Sequence, residues 1–392
     1  MDNSKSQFRR AMTSLLIENC RLYDTVETGP LTSIAIRDGV IAEVGADVAS
    51  DKVLDAQGLI LAPGFIDVHI QGAGGADVLD ATPEALETIS RTCARFGVTG
   101  FLATTVYKPG QENRHLQVAA DCAGEDLGGA RLLGIHLEGP FIAPQKRGMI
   151  QPDCLAEPSS SVLEHIYRLT GDSLKMMTLA PELPGSLDLI GPLQDRGTIA
   201  ALGHTHATYE EAVRGLEAGI RHVTHLFNAM PAMHHRAPGP LAAIFERTDV
   251  TAQVITDGVH AHPAIVRLAF GALGATRFIP ITDGMQAMGL PDGRYAYNGI
   301  EYEARDGAAR YADGTLIGTA LGLNRMLARF MQFTGCSLTA TIDTVTQNTD
   351  RLLRLDGRKG TVRAGSDADL VLLDRNLEVY ATIVGGRAVY ER

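Results

Sequence analysis

Short apolar runs alternate with amphipathic stretches through the middle of the chain. Most of these runs end in a polar residue followed by turn-forming residues, as buried parallel strands do in an α/β fold. The runs predict eight strands, at residues 64–69, 100–105, 132–136, 176–180, 199–203, 222–225, 252–256 and 278–282. Strands that alternate with helices in this way predict a (β/α)8 barrel of the TIM type.

The amphipathic stretches between the runs predict the helices that cover such a barrel. One helix is predicted over residues 83–96, with Thr82 as its N-cap, and another over residues 208–216. The apolar stripe of each helix is expected to pack against the strands.

The two ends of the chain share a different pattern, in which strand-like runs are separated by tight turns. Asp38 and Gly39 form one predicted hairpin turn, and Gly385 and Gly386 form another. Because both ends have the same texture, we expect them to meet in one small β-sandwich. The predicted domains are residues 1–62 and 362–392, which form this sandwich, and residues 63–361, which form the barrel.

Composition limits the classes of partner. The chain has 392 residues and a formal net charge of −11, which argues against nucleic acid as a partner. Five scattered cysteines without a CxxC pair are typical of reduced thiols in a cytoplasm. No apolar run has the length of a membrane span, so no membrane association is expected, and the first dozen residues are predicted to be a frayed leader.

Three predicted strands are followed by residues that bind metals. Glu138, His204 and His225 lie at the strand ends where barrel enzymes place their catalytic groups. One carboxylate and two imidazoles form a zinc set that leaves a fourth position open for water. A single barrel histidine is more often structural, but three donors together favour a metal. The sequence therefore predicts a hydrolase that binds one divalent ion per subunit, expected to be Zn²⁺.

Asp283 follows the eighth predicted strand and has two interpretations. With Gly284 after it, Asp283 could be a turn or capping residue. At the end of a barrel strand it suits a general base that takes a proton from water and returns it to a departing amine. Its position favours the catalytic role.

The first predicted strand ends in His69-Ile-Gln71. An amide is a poor zinc ligand, so Gln71 predicts a single tightly bound ion. A weak second ion shared by His69 and Asp283 stays open as an alternative.

Arg236 follows a pair of histidines on a loop beyond the sixth strand. A guanidinium suits bidentate binding of phosphate. From the residues alone, an ordinary exposed arginine is the simpler interpretation, and His234 and His235 beside it are either anion contacts or solvated loop residues.

These motifs together resemble the N-acetylglucosamine-6-phosphate deacetylase family of the amidohydrolase superfamily. The resemblance covers nearly the whole chain and is most specific in the Leu-Glu-Gly-Pro motif around Glu138 and the His-Leu-Phe-Asn-Ala-Met motif from His225. It implies metal ligands at Glu138, His204 and His225, and an acid/base at Asp283. It also implies substrate contacts, namely Asn228, Ala229, Arg236, His260, Met149 and a lid around Leu316, Ile317 and Gly318. Members are usually homodimers in which a partner's loop reaches the site.

Two positions depart from the family pattern. Ile150 stands where the family has a histidine that binds substrate, and His206 stands where Asn or Asp is usual. An isoleucine cannot hydrogen-bond a sugar oxygen, so the sugar-reading residues differ while the metal ligands and the base are intact.

Three functions follow. The first is removal of the acetyl group from an amino-sugar phosphate, N-acetylglucosamine 6-phosphate above all. The second is the same chemistry on another N-acyl sugar, such as N-acetylgalactosamine 6-phosphate, or on another acylated amine. The third, a barrel that only binds or scaffolds, is disfavoured because the ligands and base are all present.

Overall fold

The computed structural model describes residues 14–45, 48 and 50–392, so the predicted leader lies outside the described residues. In chain order the strands are β1 (Ser14–Leu22), β2 (Thr32–Arg37), β3 (Val40–Val44), β4 (Lys52–Asp55), β5 (Ile60–Pro63), β6 (Phe65–Ile70), β7 (Gly72–Ala73), β8 (Ala76–Asp77), β9 (Val98–Thr105), β10 (Arg131–Glu138), β11 (Leu174–Leu179), β12 (Ile199–Leu202), β13 (His222–Val223), β14 (Thr251–Ile255), β15 (Phe278–Ile281), β16 (Gly293–Tyr297), β17 (Ile300–Arg305), β18 (Ala308–Arg310), β19 (Leu316–Thr319), β20 (Leu370–Leu373), β21 (Val379–Val384) and β22 (Arg387–Glu391). The helices are α1 (Pro83–Ala94), α2 (Arg114–Cys122), α3 (Ser160–Thr170), α4 (Ser186–Asp195), α5 (Tyr209–Ala218), α6 (Gly239–Glu246), α7 (Pro263–Leu273), α8 (Leu323–Thr334), α9 (Leu338–Asp343) and α10 (Gln347–Leu353).

The eight predicted central strands form one parallel sheet. Its order is β6, β9, β10, β11, β12, β13, β14 and β15, which follows the chain. The sheet closes where the backbone N–H of Asp283, just after β15, donates to the carbonyl of His69 in β6 at 3.0 Å. The predicted TIM-like barrel is therefore confirmed, and its closing bond joins two candidate site residues.

Helices cover the outer face of the barrel, so its strands are buried on both faces. Every residue of β6 and β9 is buried. On the outside, Phe278 of β15 stacks on Phe330 of α8, with ring centroids 4.8 Å apart. Such packing holds the strand ends rigidly, as a metal site requires.

Both predicted helices form, with the expected start signals. The Thr82 hydroxyl accepts a hydrogen bond from the Ala85 N–H at the start of α1, which ends at Ala94, earlier than predicted. Thr208 and Glu211 form a reciprocal capping box at the start of α5.

Strands from both ends of the chain share one sheet. Its order is β22, β21, β20, β5, β1, β2 and β3, with β4 beside β1. The first part of β1 pairs with β2 and β4 and its last part with β5, with an irregularity between Ile17 and Cys20. The strands enclose one apolar core drawn from both ends: Ile17, Ile34, Ile41, Leu61, Leu370, Leu372 and Ile383.

The two predicted hairpin turns of this sheet are present. Asp38 and Gly39 have φ of 50° and 76°, and Gly385 and Gly386 have φ of 56° and 75°. Positive φ at both central residues is typical of a two-residue turn that matches strand twist.

A four-stranded antiparallel sheet, β16 to β19, lies between β15 and α8 in the chain and was not predicted as a sheet. We call it the cover sheet, since it packs on the loops at the carboxyl end of the barrel. Its Tyr297 and Ile317 share an apolar cluster with Val106, Ile142 and Met285. Its last strand reaches the site, because the Thr319 N–H donates to the Asp283 carbonyl at 2.9 Å.

All five cysteines are free. Within the described part of the chain, no helix is both long enough and apolar enough to cross a membrane.

Candidate active site

Glu138, His204 and His225 converge at the carboxyl end of the barrel. Glu138 ends β10, while His204 and His225 follow β12 and β13. The Oε1 atom of Glu138 lies 3.0 Å from Nε2 of His204 and 2.9 Å from Nε2 of His225, and the two Nε2 atoms are 3.0 Å apart. All three residues are buried. Three predicted ligands thus form a compact triangle of donor atoms.

The protonation of this triangle fits a bound cation. The Lys146 carbonyl lies 2.7 Å from Nδ1 of His204, so the imidazole donates there and presents a lone pair at Nε2. Burial lowers the pKa of His225, which favours the neutral form of that imidazole. Burial alone would raise the pKa of Glu138, but the surrounding histidines hold it well below its usual value. The Glu138 carboxylate and the two Nε2 atoms face each other, and a divalent metal bound between them would satisfy all three.

Three of the predicted site residues have strained backbones. The φ angles are 47° at His204, 26° at His225 and 49° at Asp283. A non-glycine residue in this region costs about 1–3 kcal/mol and persists only where its surroundings hold it. Each residue follows a barrel strand, so the strain turns its side chain out of the strand direction and toward the site.

Asp283 lies beside the triangle, linked to it by His69 and Gln71. The Oδ1 atom of Asp283 accepts a hydrogen bond from the Gln71 amide at 3.0 Å and lies 3.3 Å from Nε2 of His69. The same Gln71 nitrogen is 3.4 Å from Oε2 of Glu138. The structure therefore brings the predicted base to the predicted ligands.

His69 occupies the space between the two carboxylates. Its Nε2 atom lies 3.5 Å from Oε1 of Glu138, and its Nδ1 atom is 2.9 Å from Oε1 of Gln253. Burial alone would lower the pKa of His69, but Glu138 and Asp283 raise it to about 9. An imidazolium here would compete with a second metal ion for the same two carboxylates.

The predicted sugar contacts lie on the loop that carries His225. The Asn228 amide donates to the carbonyls of His225 and Leu226, both at 3.3 Å. The Ala229 carbonyl accepts from the Thr205 N–H at 3.2 Å, next to His204. Asn228 and Ala229 are thus fixed against both histidine ligands.

His260 lies on the loop after β14, whose neighbours β13 and β15 lead to His225 and Asp283. Its Nδ1 atom is 2.6 Å from Oδ2 of Asp257, and only 4% of its side chain is exposed. A carboxylate in this position fixes which ring nitrogen carries the proton. The sequence analysis gave Asp257 no role, although this residue follows the apolar run of β14.

Arg236 is a predicted site residue whose contacts lie on its own loop. It is exposed, and its guanidinium bonds the His235 ring at 2.7 Å. None of its hydrogen bonds within the described residues reaches Glu138, His204 or His225.

The residues around the cover sheet are apolar. Met149 and Ile150 are buried, with 6% and 1% of their surfaces exposed, in the cluster that contains Ile317. Gly318 lies against Asp283, since a Cβ atom there would meet the Asp283 carbonyl oxygen at 2.4 Å. The predicted lid around Leu316, Ile317 and Gly318 is thus the last strand of the cover sheet.

Besides Asp257, the sequence analysis missed two residues at the site. Gln253 accepts from the His225 N–H at 3.4 Å besides contacting the His69 ring, and Glu182 holds the loop after His204. A polar residue inside the apolar run of β14 was the available signal for Gln253. For Glu182 the signal was a carboxylate just after the fourth barrel strand.

Comparison with known proteins gives a consistent set of relatives. The amidohydrolase family matches residues 60–389. N-acetylglucosamine-6-phosphate deacetylase of Bacillus subtilis is 36% identical over 388 residues, 96% of this chain and 97% of that protein. N-acetylgalactosamine-6-phosphate deacetylase of Escherichia coli O157:H7 is 33% identical over 90% of this chain and 93% of its own length.

A solved structure matches the whole architecture. A mutant of N-acetyl-D-glucosamine-6-phosphate deacetylase from Mycobacterium smegmatis, in complex with N-acetyl-D-glucosamine-6-phosphate, superposes with a TM-score of 0.87. It is 30% identical and covers 96% of this chain and 99% of its own.

Proposed function

The chain belongs to the amidohydrolase family and, within it, to the N-acetylglucosamine-6-phosphate deacetylases, and on this premise we propose that it hydrolyses N-acetylglucosamine 6-phosphate to glucosamine 6-phosphate and acetate. The observation that carries the proposal is the triangle of Glu138, His204 and His225 with Asp283 beside it. This set contains what amide hydrolysis needs, which is a metal site and an acid/base.

The metal centre of the proposal is held by Glu138, His204 and His225. Zinc suits one carboxylate and two imidazoles, and when bound it supplies Lewis acidity at the amide carbonyl and at the attacking water. His69 and Gln71 fill the neighbouring space, so we propose one ion per subunit, and a weak second ion at His69 is the alternative.

Asp283 moves the proton. Its Oδ1 atom already accepts from Gln71, whereas Oδ2 has no hydrogen-bond partner within the described residues and stays free for proton transfer. Oδ2 takes a proton from the water that attacks the carbonyl carbon. The carbon–nitrogen bond then breaks as Asp283 returns that proton to the nitrogen, which yields acetate and the free amine.

The remaining residues bind and orient the substrate in this proposal. Asn228 and the Ala229 backbone contact the sugar, His260 lies near the reacting carbonyl, and the strand at Ile317 covers the site. Arg236 is exposed, and its guanidinium bonds only His235 within the described residues, so we propose a homodimer in which this guanidinium contacts the phosphate in the partner's site. The chain is proposed to act in the cytoplasm.

A second substrate has support of its own. The Escherichia coli relative named for N-acetylgalactosamine 6-phosphate is nearly as similar as those named for the glucosamine epimer. The buried Ile150 also offers no hydrogen-bonding group where the family pattern has a histidine that binds substrate.

Acetate release tests the assignment. The zinc-loaded protein is given N-acetylglucosamine 6-phosphate, its galactosamine epimer or unphosphorylated N-acetylglucosamine. The proposal expects the highest kcat/KM on the first substrate. Preference for the epimer would select the second candidate, and no release from any of them would reject both.

A further inference from the structure

Glu182 accepts hydrogen bonds from the two residues that follow His204, a candidate metal ligand. It lies on the loop after β11, beside the end of β12. Its Oε2 atom accepts a hydrogen bond from the Thr205 hydroxyl at 2.6 Å, and its Oε1 atom accepts from the His206 N–H at 2.5 Å. Thr205 and His206 are the two residues that follow His204.

The segment from His204 to His206 begins with a strained backbone. His204 has a φ of 47°. This conformation is sterically unfavourable for a histidine and persists only because neighbouring residues hold it. The loop after β10 holds His204 itself: the His204 carbonyl accepts from the Ala143 N–H at 2.9 Å, and the His204 ring donates to the Lys146 carbonyl. The next residue, Thr205, is held by its hydrogen bond to the Glu182 carboxylate.

Thr205 also joins the ligand loop to the substrate loop. Its hydroxyl is completely buried, accepts from the Ala207 N–H at 3.0 Å and donates to Glu182. Its backbone N–H donates to the Ala229 carbonyl at 3.2 Å. Without Glu182 the hydroxyl would lose its acceptor, and a buried donor without a partner is costly.

We propose that Glu182 is a positioning residue for the metal centre. It fixes the strained His204 in the orientation that points Nε2 at Glu138 and His225, and through Thr205 it fixes Ala229. Its loss weakens metal binding more than folding. This inference rests on the metal site of the proposed function.

The variant Glu182→Gln tests the inference, because glutamine keeps the size but can accept at only one of the two oxygen positions. Zinc affinity is measured by competition with a chromogenic chelator. We expect the zinc Kd to rise about 10–100-fold, as is usual when a partner of a metal ligand is removed. The melting temperature of the metal-free protein should change little, and acetate release should recover at saturating zinc.

Glu211→Gln is the matched control. Glu211 also accepts a backbone hydrogen bond, from the Thr208 N–H at 2.8 Å, yet it contacts neither Thr205 nor His206. Its zinc Kd should stay within twofold of the wild-type value. If Glu182→Gln also stayed within twofold, the inference would be overturned.

The variants Thr205→Val and Thr205→Ser test the hydrogen bond between Thr205 and Glu182 without changing the charge of Glu182. Valine removes the hydroxyl and should weaken zinc binding, whereas serine keeps it and should restore the affinity. Equal zinc affinity in the two Thr205 variants would contradict the inference. A wild-type protein without zinc affinity would instead reject the metal site itself.

Discussion

Gln71 donates a hydrogen bond to Asp283 across the closing seam of the barrel, with 3.0 Å between the amide nitrogen and Oδ1. The first and last barrel strands therefore meet in the active site. The amide occupies one carboxylate oxygen and leaves the other for the proton transfer that we propose. It also places a neutral group where a second metal would need a ligand.

Replacing this amide by an imidazole should change the metal content. In Gln71→His, a new nitrogen donor joins His69 and Asp283, and we expect a second zinc ion to bind per subunit. Gln71→Leu is the control and should keep the wild-type content. Elemental analysis after dialysis gives the stoichiometry, and equal zinc in both variants would refute the explanation for a single ion.

Gly318 should be intolerant of a side chain. A Cβ atom there would lie 2.4 Å from the Asp283 carbonyl oxygen and 2.9 Å from Cγ of Met285, at a φ of +137°. We expect Gly318→Ala to lower the free energy of unfolding by about 1–3 kcal/mol and to reduce kcat, since Asp283 must shift.

Gly314→Ala is the matched control for this clash. Gly314 also has positive φ, +89°, but an added Cβ would meet nothing within 4 Å. This variant should lose about 1–2 kcal/mol of stability from backbone strain and keep its kcat. If Gly318→Ala and Gly314→Ala lost kcat equally, the close contact of Gly318 with Asp283 could not explain the loss.

Asp257 and His260 should act as a unit. Because Asp257 holds Nδ1 of His260 at 2.6 Å, Asp257→Asn should disturb the orientation and proton position of the ring. We expect kcat/KM to fall about 10²–10⁴-fold in Asp257→Asn and in His260→Gln. The double variant should be little worse than either single one. Fully additive losses would show that the two residues act separately.

Asp77 should make stability depend on pH. Burial raises the pKa of its carboxyl from 3.8 to about 7, although the Leu79 N–H opposes the change. The folded protein thus binds this proton more tightly than the unfolded chain. The stabilisation is complete below the unfolded pKa and is lost as the pH rises to about 7, at about 1.4 kcal/mol per pH unit.

The variant Asp77→Asn isolates this contribution. It should melt at a higher temperature than the wild type at pH 8, and the gap should narrow toward pH 5. Metal loss at low pH affects both proteins alike, so the difference between them is the informative quantity. A gap that does not vary with pH would contradict a buried carboxylate with a raised pKa.

The barrel was predictable because its strands are buried on both faces, are rich in apolar residues and end in polar ones. Glu138 ends such a strand, and His204, His225 and Asp283 follow one, so the strand pattern and the chemistry of these residue types together predicted their positions. The cover sheet was missed, although Asn298 and Gly299 lie between two alternating runs and have φ of 48° and 79°, as a hairpin turn requires.

Other features depend on tertiary contacts that the sequence does not encode locally. Gln253 touches His69 across 184 positions of chain, and Glu182 meets Thr205 only because β11 and β12 are neighbours. The exposure of Arg236 likewise follows from the path of its loop rather than from its neighbours in sequence.

The most direct test of the account is acetate release from N-acetylglucosamine 6-phosphate as zinc is added to chelator-treated protein. We expect activity to rise with zinc and to level off at about one equivalent per subunit. Asp283→Asn should bind the same zinc and lose about 10²–10⁴-fold in kcat. Full activity without metal, or an active Asp283→Asn loaded with zinc, would contradict a metal centre served by Asp283.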